Sequence, residues 1–427
     1  MSSRLRFLPS LLIGLAAAAS SETLTLDQVL GSAAERPAVQ AVAERANQAE
    51  EALRIERRRA FWPTVGADFT RTRRDRTLSL STPIGDFPSG GRTGTSGALS
   101  VTQPLLDPAR MLHGIPAARH DLDAAQASHE RARRERAAEA AELFFDVLAL
   151  DSRRRAVDAF VKSLGARLDE VSARVKAGRA LERDRLLVQL ALDDAEQSRL
   201  ELDRRREVVT HALGRAVGSD APVEPLFTVE IESTGATPVA DDASLTRALE
   251  TRRDLAALRA RLAATDRRRA ATWAELIPRL EARADWVRSS GDSTPQDDWV
   301  DASVRVTWQP FAAGTRKPRA RALRAEERAI EAELREAMRG VAVQVREAVA
   351  DHRIAAGELK AATTGVKAAQ EAVRVTGERY RAGRDTVQDL LDAEAILRDR
   401  DGRRQVALLE LARARVRYEL ATGELLG

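Results

Sequence analysis

ARVKAGRALERDRLLVQL, residues 173–190, and ERYRAGRDTVQDLLDA, residues 378–393, are one segment written twice. They align without a gap: Ala177-Gly178-Arg179 falls on Ala382-Gly383-Arg384, 205 residues later, and Asp184 falls on Asp389. The stripe leading into each copy keeps the same register. Val161, Leu164, Leu168, Val171 and Val175 become Val366, Ala369, Val373, Thr376 and Tyr380, in steps of three and four. That is the period of a coiled-coil seam, and a glycine where the seam stops lets a helix end in the left-handed conformation. Apolar periodicity resumes a few residues later, so each copy is the tip of a long helical hairpin. The chain is therefore expected to consist of two tandem halves.

The totals agree. In 427 residues only 4% are aromatic while 31% are charged, a composition suited to long helices packed through thin apolar seams. Lys+Arg is 69 against Asp+Glu 65, and the charges interleave along helices, which argues against a nucleic-acid partner. The absence of cysteine excludes disulfides, thiolate metal sites, a cysteine nucleophile and a lipidated N-terminal cysteine. His113, His120, His129, His211 and His352 have no metal-ligand spacing. No GxSxG, P-loop or GxGxxG occurs. The sequence offers no catalytic site and calls for no cofactor.

Residues 1–21 have Arg4 and Arg6, then FLPSLLIGLAAAA, then small residues before Glu22, the pattern of a secretory signal peptide cut between Ala18 and Glu22. Its apolar run is shorter than the ~20 residues a membrane helix needs, and no later stretch is apolar enough. If the chain crosses a bilayer, it does so with strands.

From Leu24 to about Ala60 the pattern is helical, and Pro63 closes it. The period then switches to two. Thr64–Thr70 sets Val65, Ala67 and Phe69 against polar neighbours until Arg71 falls on the apolar face. Arg71–Gly97 reads as an exposed loop, and Ala98–Leu106 as a second strand ended by Gln103-Pro104-Leu105. A helix of roughly 60 residues from near Ala117 to Lys176, ~90 Å if straight, is turned back at Gly178. Its return helix ends near Val217. Ser219–Asp241, with a short alternating patch at Phe227–Ile231, links the halves.

The second half repeats the order. Leu245 to about Leu276 is helical and ends at Pro278. Strand Leu280–Val287 follows, then a polar loop Arg288–Asp298, then strand Val300–Trp308, the cleanest alternation in the chain. Gln309-Pro310-Phe311 matches Gln103-Pro104-Leu105, and a second hairpin runs to about Leu425. The expected domains are thus a signal peptide 1–21, a first repeat 22–218, a linker 219–241 and a second repeat 242–427.

Each strand is apolar on one face and polar on the other, the pattern of a membrane barrel with a wet lumen, though the clean alternation runs short of the ~10 residues a membrane strand uses. Trp286 and Trp308 suit an interfacial girdle. Glu281, Arg283, Asp301 and Arg305 fall on the lumen face. Four strands cannot close a barrel, whose smallest membrane examples use about eight. An open edge in hydrocarbon costs several kcal/mol per unpaired group. Other copies of the chain must complete the sheet, and two, three or four would give eight, twelve or sixteen strands.

The order signal, helix, proline-ended strand pair, AG-tipped hairpin, linker and repeat resembles the TolC-like outer-membrane efflux proteins. LTLDQVL from Leu24, the Gln-Pro pairs at Gln103 and Gln309, and both tips carry the resemblance over nearly the whole mature chain. It implies a mainly α fold, with long coiled-coil hairpins forming a periplasmic α-barrel and four strands per chain contributing to a trimeric twelve-stranded β-barrel. It also implies a passive exit duct of a tripartite efflux or type I secretion system, without enzymatic activity, fed by an inner-membrane transporter through a periplasmic adaptor and seated in outer-membrane lipid.

Asp389 and Asp392, three apart on the return helix, share one face. On their own they read as surface acids of an exposed helix; in a trimer they form two carboxylate rings, which attract cations, and the resemblance places a selectivity gate there. It also implies closing roles for Asp184 and Tyr380. The family's partner arginine falls at Asp385 here, with Arg384 one place earlier, so closure needs either Arg384 in that role or another arrangement. The tips Gly178-Arg179 and Gly383-Arg384 are expected to meet the adaptor. The rival reading is an exported soluble coiled-coil scaffold whose strands are small hairpin caps. A hydrolase would need a catalytic constellation that is absent.

Overall fold

The computed structural model describes residues 22–75, 78–90, 92–219, 223–225, 242–291 and 294–425. The expected signal peptide, and all of the 219–241 linker except 219 and 223–225, lie outside the described residues, as does the Phe227–Ile231 patch. The fold is mainly α with a small β part. No described helix is long and apolar enough to cross a membrane. The described chain divides into two compact units, each drawn from both halves of the sequence: the described residues of 1–36, 133–240 and 346–427 form one, those of 37–132 and 241–345 the other.

The first unit starts at β1 (Glu22–Leu24), which pairs in parallel with β6 (Val223–Pro225). Helix α1 (Leu26–Ala33) follows, begun by a reciprocal capping box. The Thr25 backbone N–H donates to Gln28 Oε1 at 2.8 Å, and the Gln28 N–H donates back to Thr25 Oγ1 at 3.4 Å. The expected helix from Leu24 to Ala60 is therefore two helices. Pro37 starts the second, α2 (Pro37–Phe61), because proline has no N–H to continue a ladder but suits a first helical turn. Val29, Leu30 and Ala33 of α1 pack with Phe144, Phe145, Leu213, Val223, Leu409 and Val416 in one buried cluster. Adjacent Phe144 and Phe145 meet edge to face, centroids 5.7 Å apart.

Two long hairpins, from residues 133 and 346 onward, complete this unit's helices. Helix α3 (Ile115–Lys176) has 62 residues, about 93 Å, and returns as α4 (Glu182–Val217). Helix α7 (Arg316–Arg381) has 66 residues and returns as α8 (Val387–Thr422). The seam residues Leu164 and Val171 are buried with Val188 and Ala195 of α4 and with Val387 and Leu391 of α8. Val161, Leu168, Val175 and Tyr380 pack against that cluster. One apolar seam thus joins both tips.

The second unit holds a four-stranded sheet, ordered β2 (Thr64–Arg73), β5 (Thr93–Leu106), β7 (Arg279–Gly291) and β8 (Thr294–Thr307), every neighbour antiparallel. These strands are 10, 14, 13 and 14 residues long, so the shortfall read from the alternation is corrected. The apolar signal stops where side chains turn polar, but the backbone ladder continues through Thr93–Gly97 and Arg288–Gly291. The expected loop Arg71–Gly97 also holds a separate hairpin, β3 (Leu78–Thr82) with β4 (Gly85–Gly90). A π-helical turn, Ala109–Gly114, leads from β5 into α3, which starts two residues before the expected Ala117. The expected helix Leu245–Leu276 breaks at Arg252, an extended N-cap, into α5 (Asp242–Thr251) and α6 (Arg253–Ala274).

Candidate functional site

Two places carry chemistry: the joined tips in the first unit and the sheet in the second.

At each tip a glycine takes the left-handed conformation, Gly178 at φ 66° and Gly383 at φ 70°. The Gly178 N–H donates to Val175 O at 2.9 Å and the Arg179 N–H to Arg174 O at 2.8 Å. Gly383 and Arg384 repeat this onto Tyr380 O and Arg379 O at 3.0 and 2.9 Å. These are Schellman turns, which satisfy the last carbonyls of α3 and α7. Gly178, Arg179, Gly383 and Arg384 all lie exposed at the apices.

The return helices begin differently. In the second copy Thr386 is the N-cap. Its backbone N–H donates to Asp389 Oδ2 at 2.8 Å, its hydroxyl to the same oxygen at 2.6 Å, and the Asp389 N–H donates back to Thr386 Oγ1 at 3.2 Å. The Thr386 hydroxyl, then its N–H, and more weakly the Arg379 charge hold the Asp389 carboxyl below the usual carboxylate range. Asp392, one turn on, accepts from Gln388 Nε2 at 2.9 Å. In the first copy Leu181 stands where Thr386 does. It has no side-chain acceptor, so only one half of the box exists, the Leu181 N–H to Asp184 Oδ2 at 3.4 Å.

Tyr380 is held by arginines of α3. Arg174 Nη1 donates to the Tyr380 hydroxyl at 3.0 Å, and the guanidinium carbons of Arg174 and Arg167 stand 4.9 and 5.7 Å from its ring centroid. Arg167 also pairs with Glu394 of α8 at 2.9 Å. Asp385 pairs with Arg379 at 2.9 Å, and Arg384 stays exposed. Within the chain, then, Tyr380 meets Arg174, while Asp184 serves its own helix start. Sequence reasoning did not single out Arg167, Arg174, Arg379 or Glu394. One signal was available: Arg174 and Arg379 are the same position of the repeat, but the second copy has Asp385 where the first has Ala180. Arg379 takes that local acid and Arg174 turns to Tyr380.

In the sheet, the register separates two faces. One carries Val65, Ala67, Phe69, Leu99, Val101, Ala284, Trp286, Val300, Val304 and Val306. It is bare in the single chain: Val65 is 69% exposed, Phe69 77% and Val304 66%. The other face carries all four expected lumen residues. Glu281 lies opposite Arg305, with 3.8 Å between the charged groups. Arg283 pairs with Asp285 on its own strand at 2.8 Å, and Asp301, opposite Asp285, accepts from Trp299 Nε1 at 2.9 Å. Strands β2 and β8 are the sheet's two edges. Among the described residues no group of His, Cys, Asp or Glu could hold a metal ion. The arrangement presents exposed carboxylate and guanidinium groups at the tips and an uncovered apolar face on the sheet.

The profile of a protein family described as "Outer membrane efflux protein" matches residues 31–219 and 245–424. No curated protein matches the sequence. Among solved structures, the Campylobacter jejuni CmeC outer membrane channel is similar at TM-score 0.75 and 14% identity, covering 93% of this chain and 85% of that one. The outer membrane protein VceC of Vibrio cholerae is similar at TM-score 0.74 and 16% identity, covering 93% and 96%. The open-state MtrE outer membrane channel of Neisseria gonorrhoeae is similar at TM-score 0.74 and 18% identity, covering 94% and 89%.

Proposed function

We propose that this chain, which belongs to the outer membrane efflux protein family, is one protomer of a passive exit duct that spans the outer membrane and performs no catalysis. The observation that carries the reading is the sheet, with its bare apolar face and two unpaired edges. From Val300 to Trp308, the residue just past the end of β8, is about 27 Å at strand rise. At a tilt of about 40° that covers about 21 Å of bilayer, close to the ~25 Å apolar band of outer-membrane barrels. Unpaired edges in hydrocarbon are costly enough that neighbouring copies must cover them. Three copies close twelve strands, with Glu281, Arg283, Asp301 and Arg305 toward water.

In this reading residues 1–21 are the export signal, and residues 22–218 and 242–427 are two repeats joined by 219–241. The paired hairpins of three copies surround the axis, and Asp389 and Asp392 form two acidic rings there. Asp184, Tyr380 and Arg384 belong to the same constriction. The apices at Gly178-Arg179 and Gly383-Arg384 receive a periplasmic adaptor, which delivers cargo from an inner-membrane transporter of a tripartite efflux or type I secretion system.

The gate is tested with Asp389→Asn combined with Asp392→Asn, since asparagine keeps a capping oxygen while removing the charge. Higher single-channel conductance and weaker block by divalent cations are expected. Unchanged conductance and block would remove the gate assignment. Fractionation tests the duct itself: extraction without detergent, as a folded monomer, would favour an exported coiled-coil scaffold instead.

A further inference from the structure

The apolar face of the sheet ends in arginines at one end. Along β2 toward the β2–β3 loop, Phe69 is followed on the same face by Arg71 and Arg73, and along β7 Trp286 is followed by Arg288. Between these strands runs β5, whose residues on that face are Thr95 and Gly97. Phe69 lies opposite Gly97, and Gly97 opposite Arg288. One step on, Arg71 lies opposite Thr95, and Thr95 opposite Ser290. Larger side chains thus flank a central strand that has almost none. The result is a furrow of about 470 Å³ bounded by Phe69, Gly97, Leu99, Trp286, Arg288 and Ser290.

We propose that this furrow binds a phosphorylated glycolipid of the outer leaflet, with an acyl chain over Gly97 between Phe69 and Trp286 and a headgroup phosphate on Arg71, Arg73 and Arg288. The proposal rests on the duct reading for its direction, because these strand ends lie away from the helix-joined ends of the sheet. An arginine on the lipid face is costly at the bilayer midplane and tolerated near the interface, so three at one end mark the headgroup level. Guanidinium forks match phosphate oxygens in two-point geometry. A zwitterionic headgroup would bring an ammonium to the same cations. Asp298 lies opposite Arg288 in the register, whereas Arg71 and Arg73 lie opposite Thr95 and Thr93, so β2 is the more cationic side.

Gly97 is the telling residue. Its backbone does not take a positive φ, and an added Cβ would meet nothing nearer than the Asp68 carbonyl oxygen at 4.0 Å. Neither conformation nor packing within the chain calls for a glycine there. Its absent side chain keeps the furrow open.

The test uses full-length oligomer purified from outer membranes, delipidated in mild detergent and titrated by native mass spectrometry. The probes are purified lipid A, dephosphorylated lipid A, phosphatidylglycerol and inorganic phosphate. Lipid A should bind the wild type best. Gly97→Leu and, separately, Arg71→Gln with Arg73→Gln should each weaken it about tenfold, with heat-modifiable oligomer yields unchanged. The arginine pair sits beyond the apolar band and serves if Gly97→Leu fails to assemble. Equal binding of phosphatidylglycerol or of dephosphorylated lipid A overturns the proposal, as does protection by phosphate alone. Undiminished binding by both variants also overturns it. A chain missing from the outer-membrane fraction would overturn the duct reading before any lipid is added, and this site with it.

Discussion

In the duct proposed above, Asp389 has two tasks at once. In the single chain it is the capping acid of α8, tied to Thr386 by three hydrogen bonds, and in the proposed ring it is a charge facing its own copies. The tasks push its protonation in opposite directions, since the cap favours the ionised form and ring repulsion opposes it. A carboxyl held low keeps its contribution above the ordinary carboxylate value of about 3.9 and loses it as pH falls through the lowered value. Thr386→Ala removes the hydroxyl, the largest lowering contact, so the carboxyl should protonate at higher pH. Cation block in planar bilayers should then fade at a higher pH in Thr386→Ala than in the wild type, and coincident profiles would refute the double role. The Asp184–Asp389 equivalence was legible because it needs only the repeat register. The Arg174–Tyr380 contact was not: its partners lie 206 positions apart, and their meeting depends on how two helices pack. Tyr380→Phe should remove the hydrogen bond from Arg174, which keeps its Glu170 ion pair at 2.8 Å, and speed amide exchange at both tips, while the half-exposed setting limits the loss to below about 1 kcal/mol.

At the level of elements, strong periodicity was readable and weak periodicity was not. The hairpins, both tip glycines and the 161–175 stripe stand where three-and-four spacing put them, because a seam must be apolar along its whole length. Leu164 is 0% exposed, and Leu164→Ala should cost about 2–5 kcal/mol, measurable as a lower thermal midpoint of the helical signal. The helix breaks at Pro37 and Arg252 were missed because apolar residues continue across them. The outer ends of the strands were missed because only hydrogen bonding, and not side-chain pattern, sustains them there. The apolar band is the legible part of the sheet. Val304→Arg, at its middle, should cost about 2–4 kcal/mol per protomer and lower the yield of heat-modifiable oligomer in outer membranes. A change on the polar face, such as Ser303→Arg, should leave that yield intact.

For the molecule as a whole, the order β2-β5-β7-β8 has a further meaning. Inside the chain the junction between the halves is β5 against β7, the closing strand of one hairpin beside the opening strand of the next. In the proposed ring, β8 of one subunit meets β2 of its neighbour, which is the same junction made without a covalent link. The cylinder would then have approximate six-fold order underlying its three-fold symmetry, with chemically continuous and interrupted joints alternating. An ancestor half this long could have built the same wall from six separate pieces. Doubling the gene would have halved the joints left to chance encounter, and freed each half to diverge, as Leu181 and Thr386 have.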